Sequence, residues 1–149
     1  MFDFNDLIAI VSDHAGFHLK EFIQQELISA GYKFRDFGTY SEDSVDYPDF
    51  IHPLAKEIND GVIQGGIIIC GSGNGAAMTA NKYPGVRAAL CWNEDIVKLS
   101  RQHNDANIIA LPARFIDPVQ ALRFVQLFFT TGFEGGRHQK RVQKIATLR

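Results

Sequence analysis

Short, nearly continuous apolar runs recur along the chain, each followed by a polar or glycine-rich break and then by an apolar stripe of helical period. Leu7 to Ser12 is the first, with the character of a strand covered on both faces, and Asp13-His14-Ala15-Gly16 breaks it. From Phe17 to Ala30 the residues Leu19, Phe22, Ile23, Leu27 and Ala30 mark one helical face, and Gly31 supplies a left-handed stop. A second short strand is expected at Tyr32 to Asp36, then a polar loop ended by Pro48, then a helix from Phe50 to Asn59 on the spacing of Ile51, Leu54, Ala55 and Ile58. Ile67 to Cys70 reads as the third strand, Ala76 to Asn81 as a short helix stopped by Tyr83-Pro84-Gly85, and Val86 to Cys91 as the fourth strand. Asn93 caps a helix to about Gln102, with Glu94 and Asp95 in its first turn, and Ile108 to Leu111 is the fifth strand. Asp117-Pro118-Val119-Gln120 combines an N-cap, a proline at the first helical position and a glutamine three residues after the cap, opening a helix through Phe129. The remaining tail, Gly135 to Arg149, is basic and expected to be helical from His138.

Strands alternating with helices imply a parallel sheet covered on both faces, because right-handed crossovers place the helices there. The expected fold is therefore α/β and doubly wound, with five parallel strands and a C-terminal helical tail. Residues 1–149 hold no internal repeat, low-complexity tract or linker, so a single domain is expected. In such sheets ligands bind beyond the carboxyl ends of the strands. Three stretches fall there: Asp13-His14, Cys70-Gly71-Ser72-Gly73-Asn74-Gly75 and Pro112-Ala113-Arg114.

Composition removes several function classes. Fifteen Lys and Arg stand against seventeen Asp and Glu, so no global positive field recruits nucleic acid or an acidic membrane, and any anion site must be local. No segment approaches the ~20 apolar residues that span a bilayer, and the start lacks a basic region followed by a long apolar stretch. A cytoplasmic protein is expected. Cys70 and Cys91 are too few for a disulfide scaffold and read as thiols. His14, His18, His52, His103 and His138 are scattered without zinc-ligand spacing, so neither a metal nor another cofactor is expected.

Glycines 71, 73 and 75 let backbone N–H groups turn toward a bound anion just after Cys70. The same letters also fit a buried cysteine ending a strand before a tight turn. Gly71 to Ala76 satisfies the dinucleotide fingerprint, but Pro84 ends the next helix too early and the acidic partner is poorly placed. A phosphate P-loop would need Gly-Lys-Ser/Thr where Ala76-Ala77-Met78 stands, and a cysteine phosphatase loop would need arginine at Ala76. Arg137 and Arg141, four apart, would share one helical face as a fork for phosphate, or simply form a solvated basic tail. His103 ends a helix, where a cation is stabilising whatever its role.

Taken together, Ser12-Asp13-His14-Ala15-Gly16, Asp46-Tyr47-Pro48, Cys70-Gly71-Ser72-Gly73-Asn74-Gly75, Ala80-Asn81-Lys82, Arg101-Gln102-His103-Asn104-Asp105 and Gly135-Gly136-Arg137-His138 resemble the ribose-5-phosphate isomerase B family over nearly the whole chain. The resemblance implies a Rossmann-like three-layer α/β sandwich acting as a homodimer, with tetramers as the next larger assembly, and with each active site built from both chains. It implies Cys70 as base and His103 as ring-opening acid, with Asp13 and Ser72 near the sugar. It further implies Gly71, Gly73, Asn74 and Gly75 in an anion hole, Asn104 on a sugar oxygen, and His14, Arg114, Arg137 and Arg141 on the phosphate. Ser72 stands where some members have threonine, and Ala76 where others carry a glutamate base, which leaves Cys70 as the matching base.

The chemistry is consistent with those roles, since moving a carbonyl from C1 to C2 needs a base beside donors that hold an enediolate. A cyclic pentose phosphate must also open first, a task for a histidine titrating near neutrality. The expected reaction is the interconversion of D-ribose 5-phosphate and D-ribulose 5-phosphate. Two alternatives stand beside it: an isomerase of galactose or allose 6-phosphate, and a non-catalytic phosphosugar-binding module.

Overall fold

Leu7–Ser12 (β1), Lys33–Asp36 (β2), Gly65–Cys70 (β3), Ala88–Leu90 (β4) and Ile108–Pro112 (β5) form an all-parallel sheet in the order β2-β1-β3-β5-β4. The computed structural model describes Phe2 and residues 6–146, so the last three positions of the basic tail lie outside the described residues. Helices α1 (Phe17–Ser29), α2 (Tyr47–Asn59), α3 (Asn74–Ala80), α4 (Glu94–Asn104), α5 (Pro118–Thr130) and α6 (Arg137–Ile145) complete the alternation. No helix among the described residues is long and apolar enough to cross a membrane.

Alternate strand residues face opposite layers. Ile8, Ile10, Ile67, Ile69, Ile109 and Leu111 pack with residues of α1, α4 and α5, whereas Ala9, Val11, Ile68, Cys70, Ile108 and Ala110 pack with residues of α2 and α3. Both faces are therefore apolar at β1, β3 and β5, which explains why these strands read as continuous runs, whereas the edge strand β2 alternates between half-buried and exposed residues. Ile67, Ile68 and Ile69 are all fully buried, and each such side chain contributes about 1.5–3 kcal/mol of burial free energy.

The departures from the sequence-based boundaries have local causes. Helix α2 starts at Tyr47, three residues before the expected Phe50, because Pro48 occupies its first turn, where a missing N–H costs nothing. Strand β3 runs back to Gly65, two residues before the expected start at Ile67. Its glycines serve close packing, since a Cβ on Gly66 would stand 2.9 Å from Ile58 Cδ1. Strand β4 is shorter than expected because the Val86 N–H turns back to Tyr83 O and the Arg87 N–H is taken by Asn107 Oδ1. Helix α4 continues to Asn104, and Asp105, not a glycine, adopts the left-handed stop with φ 45°.

The edge strand β4 is capped by a side chain. Asn81 Nδ2 donates to Ala88 O at 2.9 Å and the Ala88 N–H donates to Asn81 Oδ1 at 2.8 Å, so an amide occupies the place of a further strand. At the center of the sheet Ser12 pairs with Ile69 and Cys70 pairs with Pro112, which sets the carboxyl ends of β1, β3 and β5 side by side. Because chain order departs from β1 in both directions, the crevice beyond β1 and β3 is a topological switch point.

Candidate active site

Beyond the end of β1, Asp13 is held in place twice. Its N–H donates to Ile69 O at 3.1 Å, and its Oδ1 accepts from the Gly16 N–H at 3.0 Å, capping a single 3-10 turn over His14–Gly16. Glycine is required at 16 because a Cβ there would lie 2.9 Å from Ile69 O. His14 Nδ1 accepts the Val45 N–H at 3.2 Å, so in the neutral ring the proton resides on Nε2, which is left to donate to a ligand. That contact also pulls the polar loop between β2 and α2 over the strand ends. Lys20, fully buried, reinforces it through both oxygens of Asp36, at 2.8 and 2.7 Å, and Asp36 accepts the Gly38 N–H.

The loop after β3 folds back on its own cysteine. Cys70 is 4% exposed, and the Gly73 N–H donates to its Sγ at 3.2 Å. Gly73 has φ 76°, a conformation that favours glycine. Ser72 Oγ accepts the Asn74 N–H at 3.3 Å, keeping its hydroxyl at the mouth of the loop. From β5, the Ala113 and Arg114 N–H groups donate to Cys70 O and Gly71 O, and the Arg114 guanidinium lies against the Gly71 backbone. Tyr47 approaches from α2, since a Cβ on Gly75 would stand 2.6 Å from its hydroxyl oxygen. Asp13, His14, Cys70 to Gly75 and Arg114 thus converge at one crevice. Tyr47 joins them without having been singled out as a site residue; the Asp46-Tyr47-Pro48 stretch was its one sequence signal.

The other candidates lie at the opposite end of the sheet. Helix α4 runs back from the carboxyl end of β4, and Arg87, just before β4, donates from Nε to Asn104 O at 3.1 Å. Arg101, 4% exposed, ties this helix end to Asp105, Ala106 O and Thr131 O, while the Glu134 N–H donates to Gln102 O. Helix α6 then sets Arg137 and Arg141 one turn apart. The His103 and His138 rings stack at 4.1 Å with 7° between their planes, and Glu134 Oε2 lies 3.9 Å from Nε2 of each. Within one chain, Cys70 and His103 are not brought together.

Sequence spacing gave no sign of this trio, because positions 103, 134 and 138 meet only through the return of α5. Donor atoms of the three lie within 4.8 Å of one another, a grouping of metal-ligand type. Burial, and then His103, Arg137 and Arg141, lower the proton affinity of His138, while Glu134 acts in the opposite direction. Cys91 offers no second reactive thiol, since burial pushes it up to about 12.

The sequence model of a family described as Ribose/Galactose Isomerase matches residues 8–145. The chain belongs to that family. It is similar to the ribose-5-phosphate isomerase B of Escherichia coli K12, at 40% identity over 141 residues that cover 95% of each protein. Among solved structures, a ribose 5-phosphate isomerase from Thermotoga maritima superposes with TM-score 0.92 at 46% identity, covering 95% of this chain and 97% of that one. The ribose-5-phosphate isomerase B of Mycoplasma genitalium, solved with bound ribulose-5-phosphate, gives TM-score 0.90 at 40% identity, covering 94% and 93%. The expected α/β fold with a five-stranded parallel sheet is thus the one on which these solved isomerases superpose over nearly the whole chain.

Proposed function

We propose that this member of the isomerase family interconverts D-ribose 5-phosphate and D-ribulose 5-phosphate. The observation that carries the reading is the Cys70 loop at the switch point, with the Gly73 amide on the sulfur and Arg114 alongside, in a chain whose relative binds ribulose-5-phosphate. Cys70 as thiolate removes the proton from C2 of the open-chain aldose, the C–H electrons form the enediolate, and the carbonyl electrons move onto the C1 oxygen. The hydroxyl proton on O2 passes to the C1 oxygen, and return of the abstracted proton from the Cys70 thiol to C1 leaves the ketone at C2 and regenerates the base. Loop amides from Gly71 to Gly75 hold the enediolate, Asp13 and Ser72 contact the sugar, and His14 donates from Nε2 to the phosphate together with Arg114.

Ring opening by His103, the sugar contact of Asn104 and the phosphate fork of Arg137 and Arg141 come from a second copy. The support is geometric: these residues sit at the amino end of the sheet in their own chain, away from Cys70. A homodimer pairing the two ends completes two sites. Hexose 6-phosphates are the competing substrates, to be decided by pocket depth.

The test is ketose formation from ribose, allose and galactose 6- or 5-phosphates by the parent chain and Cys70→Ala. The reading requires pentose preference and loss of ~10² to 10⁴-fold in turnover by the folded variant. Mixing inactive Cys70→Ala with inactive His103→Ala should restore about a quarter of the sites, because a mixed dimer holds one intact site of two. Near-parent turnover by Cys70→Ala, or an active monomer, would overturn it.

A further inference from the structure

We propose that Glu134 and His138 are positioning residues for ring opening: Glu134 holds the protonated form of His103 and His138 fixes the plane of its ring. The proposal rests on the reading of His103 as ring-opening acid. His138, with a side chain 7% exposed, lies flat against the 35%-exposed His103, and a stack this parallel leaves the His103 ring little freedom to swing. Arg137 Nε donates to His138 Nε2 at 3.4 Å, so that nitrogen carries a lone pair and the His138 proton sits on Nδ1. Two imidazolium rings at 4.1 Å would repel, and the arginine contact makes His138 the ring that stays neutral. His103 is then the one of the pair that cycles a proton.

Glu134 supplies the compensating charge. Its carboxylate stands 3.9 Å from Nε2 of both rings, and its backbone is fixed to the last turn of α4 through Gln102 O. Gly135 and Gly136, with φ 65° and 53°, turn the chain so sharply that Glu134 and His138 both address the same ring. Non-glycine residues would be strained there, which ties the Glu134-Gly135-Gly136-Arg137-His138 run to this arrangement.

The two sugars separate ring opening from enolisation. D-ribose 5-phosphate closes a furanose through its C4 oxygen. D-ribulose 5-phosphate cannot, because the C5 oxygen that would close its ring carries the phosphate. Deuterium exchange at C1 of ribulose 5-phosphate in D2O therefore reports proton removal alone. Glu134→Gln and His138→Phe are expected to lower turnover of ribose 5-phosphate by about tenfold or more while leaving C1 exchange within about twofold of the parent. Glu134→Asp, which keeps the charge, should recover part of the loss. The proposal is overturned if the two rates fall together, as general structural damage would make them, or if neither falls. No exchange by the parent chain would sink the isomerase reading, and the proposal with it.

Discussion

Gly73→Ala isolates the backbone of the Cys70 loop. A left-handed φ of 76° costs an L side chain about 1–2 kcal/mol. The added Cβ would overlap Leu90 Cδ1, which can move because Leu90 is half-buried on the edge strand. It would also stand 3.3 Å from Leu111 C and Pro112 N, backbone atoms of β5 that cannot give way. Overpacking of that kind adds about 1–3 kcal/mol, so a total near 3 kcal/mol is expected. At this chain length that lowers Tm by about 6–12 °C. The same strain displaces the N–H that reaches Cys70 Sγ, so turnover should drop at least about tenfold below the transition, where the variant is folded. Gly132→Ala is the control, since no atom lies within 4 Å of the new Cβ and its stability should stay within about 1 kcal/mol of the parent. Thermal denaturation followed by circular dichroism, with a ketose assay at 25 °C, reads both quantities. Equal melting of Gly73→Ala and Gly132→Ala would refute the reasoning about the loop.

Arg137→Ala and Arg141→Ala should each weaken binding of phosphosugars by about 1.5–3 kcal/mol, and the effect should vanish for inhibitors without phosphate; equal binding by both variants would return these residues to a solvated tail. Cys91 ionises near pH 12 in the folded chain and about pH 9 when unfolded, so stability should fall above pH 9 by at most about 1.4 kcal/mol per unit, a slope that Cys91→Ala removes in urea titrations. The lowered proton affinity of His138 acts at the acid end. The unfolded ring takes up a proton below about pH 6.5 and the native ring resists it, so stability should decline as pH falls through that range, less steeply in His138→Phe.

Local burial periodicity determined much of this protein. Leu7–Ser12 forms the strand that its apolar run predicts, residue for residue, and the capping box at Asp117 and Gln120 opens α5 where the letters place it. Such features depend on neighbours a few positions away, which any reading of the chain contains. The Cys70 loop and the Asp13-His14 break were legible for the same reason, since each follows a strand and strand ends carry ligands in this class of fold. Boundaries failed where a residue served a distant partner: Gly66 leaves room for Ile58, and Asp105 takes a left-handed turn while its carboxylate is held by Arg87 and Arg101. Only the tertiary structure decided which strand ends meet. The order β2-β1-β3-β5-β4 sets Asp13 beside Cys70 and carries His103 to the far edge, where α5 returns Glu134 and His138 to it. Crossovers between distant strands fix those neighbours, and no periodicity within a single element encodes them.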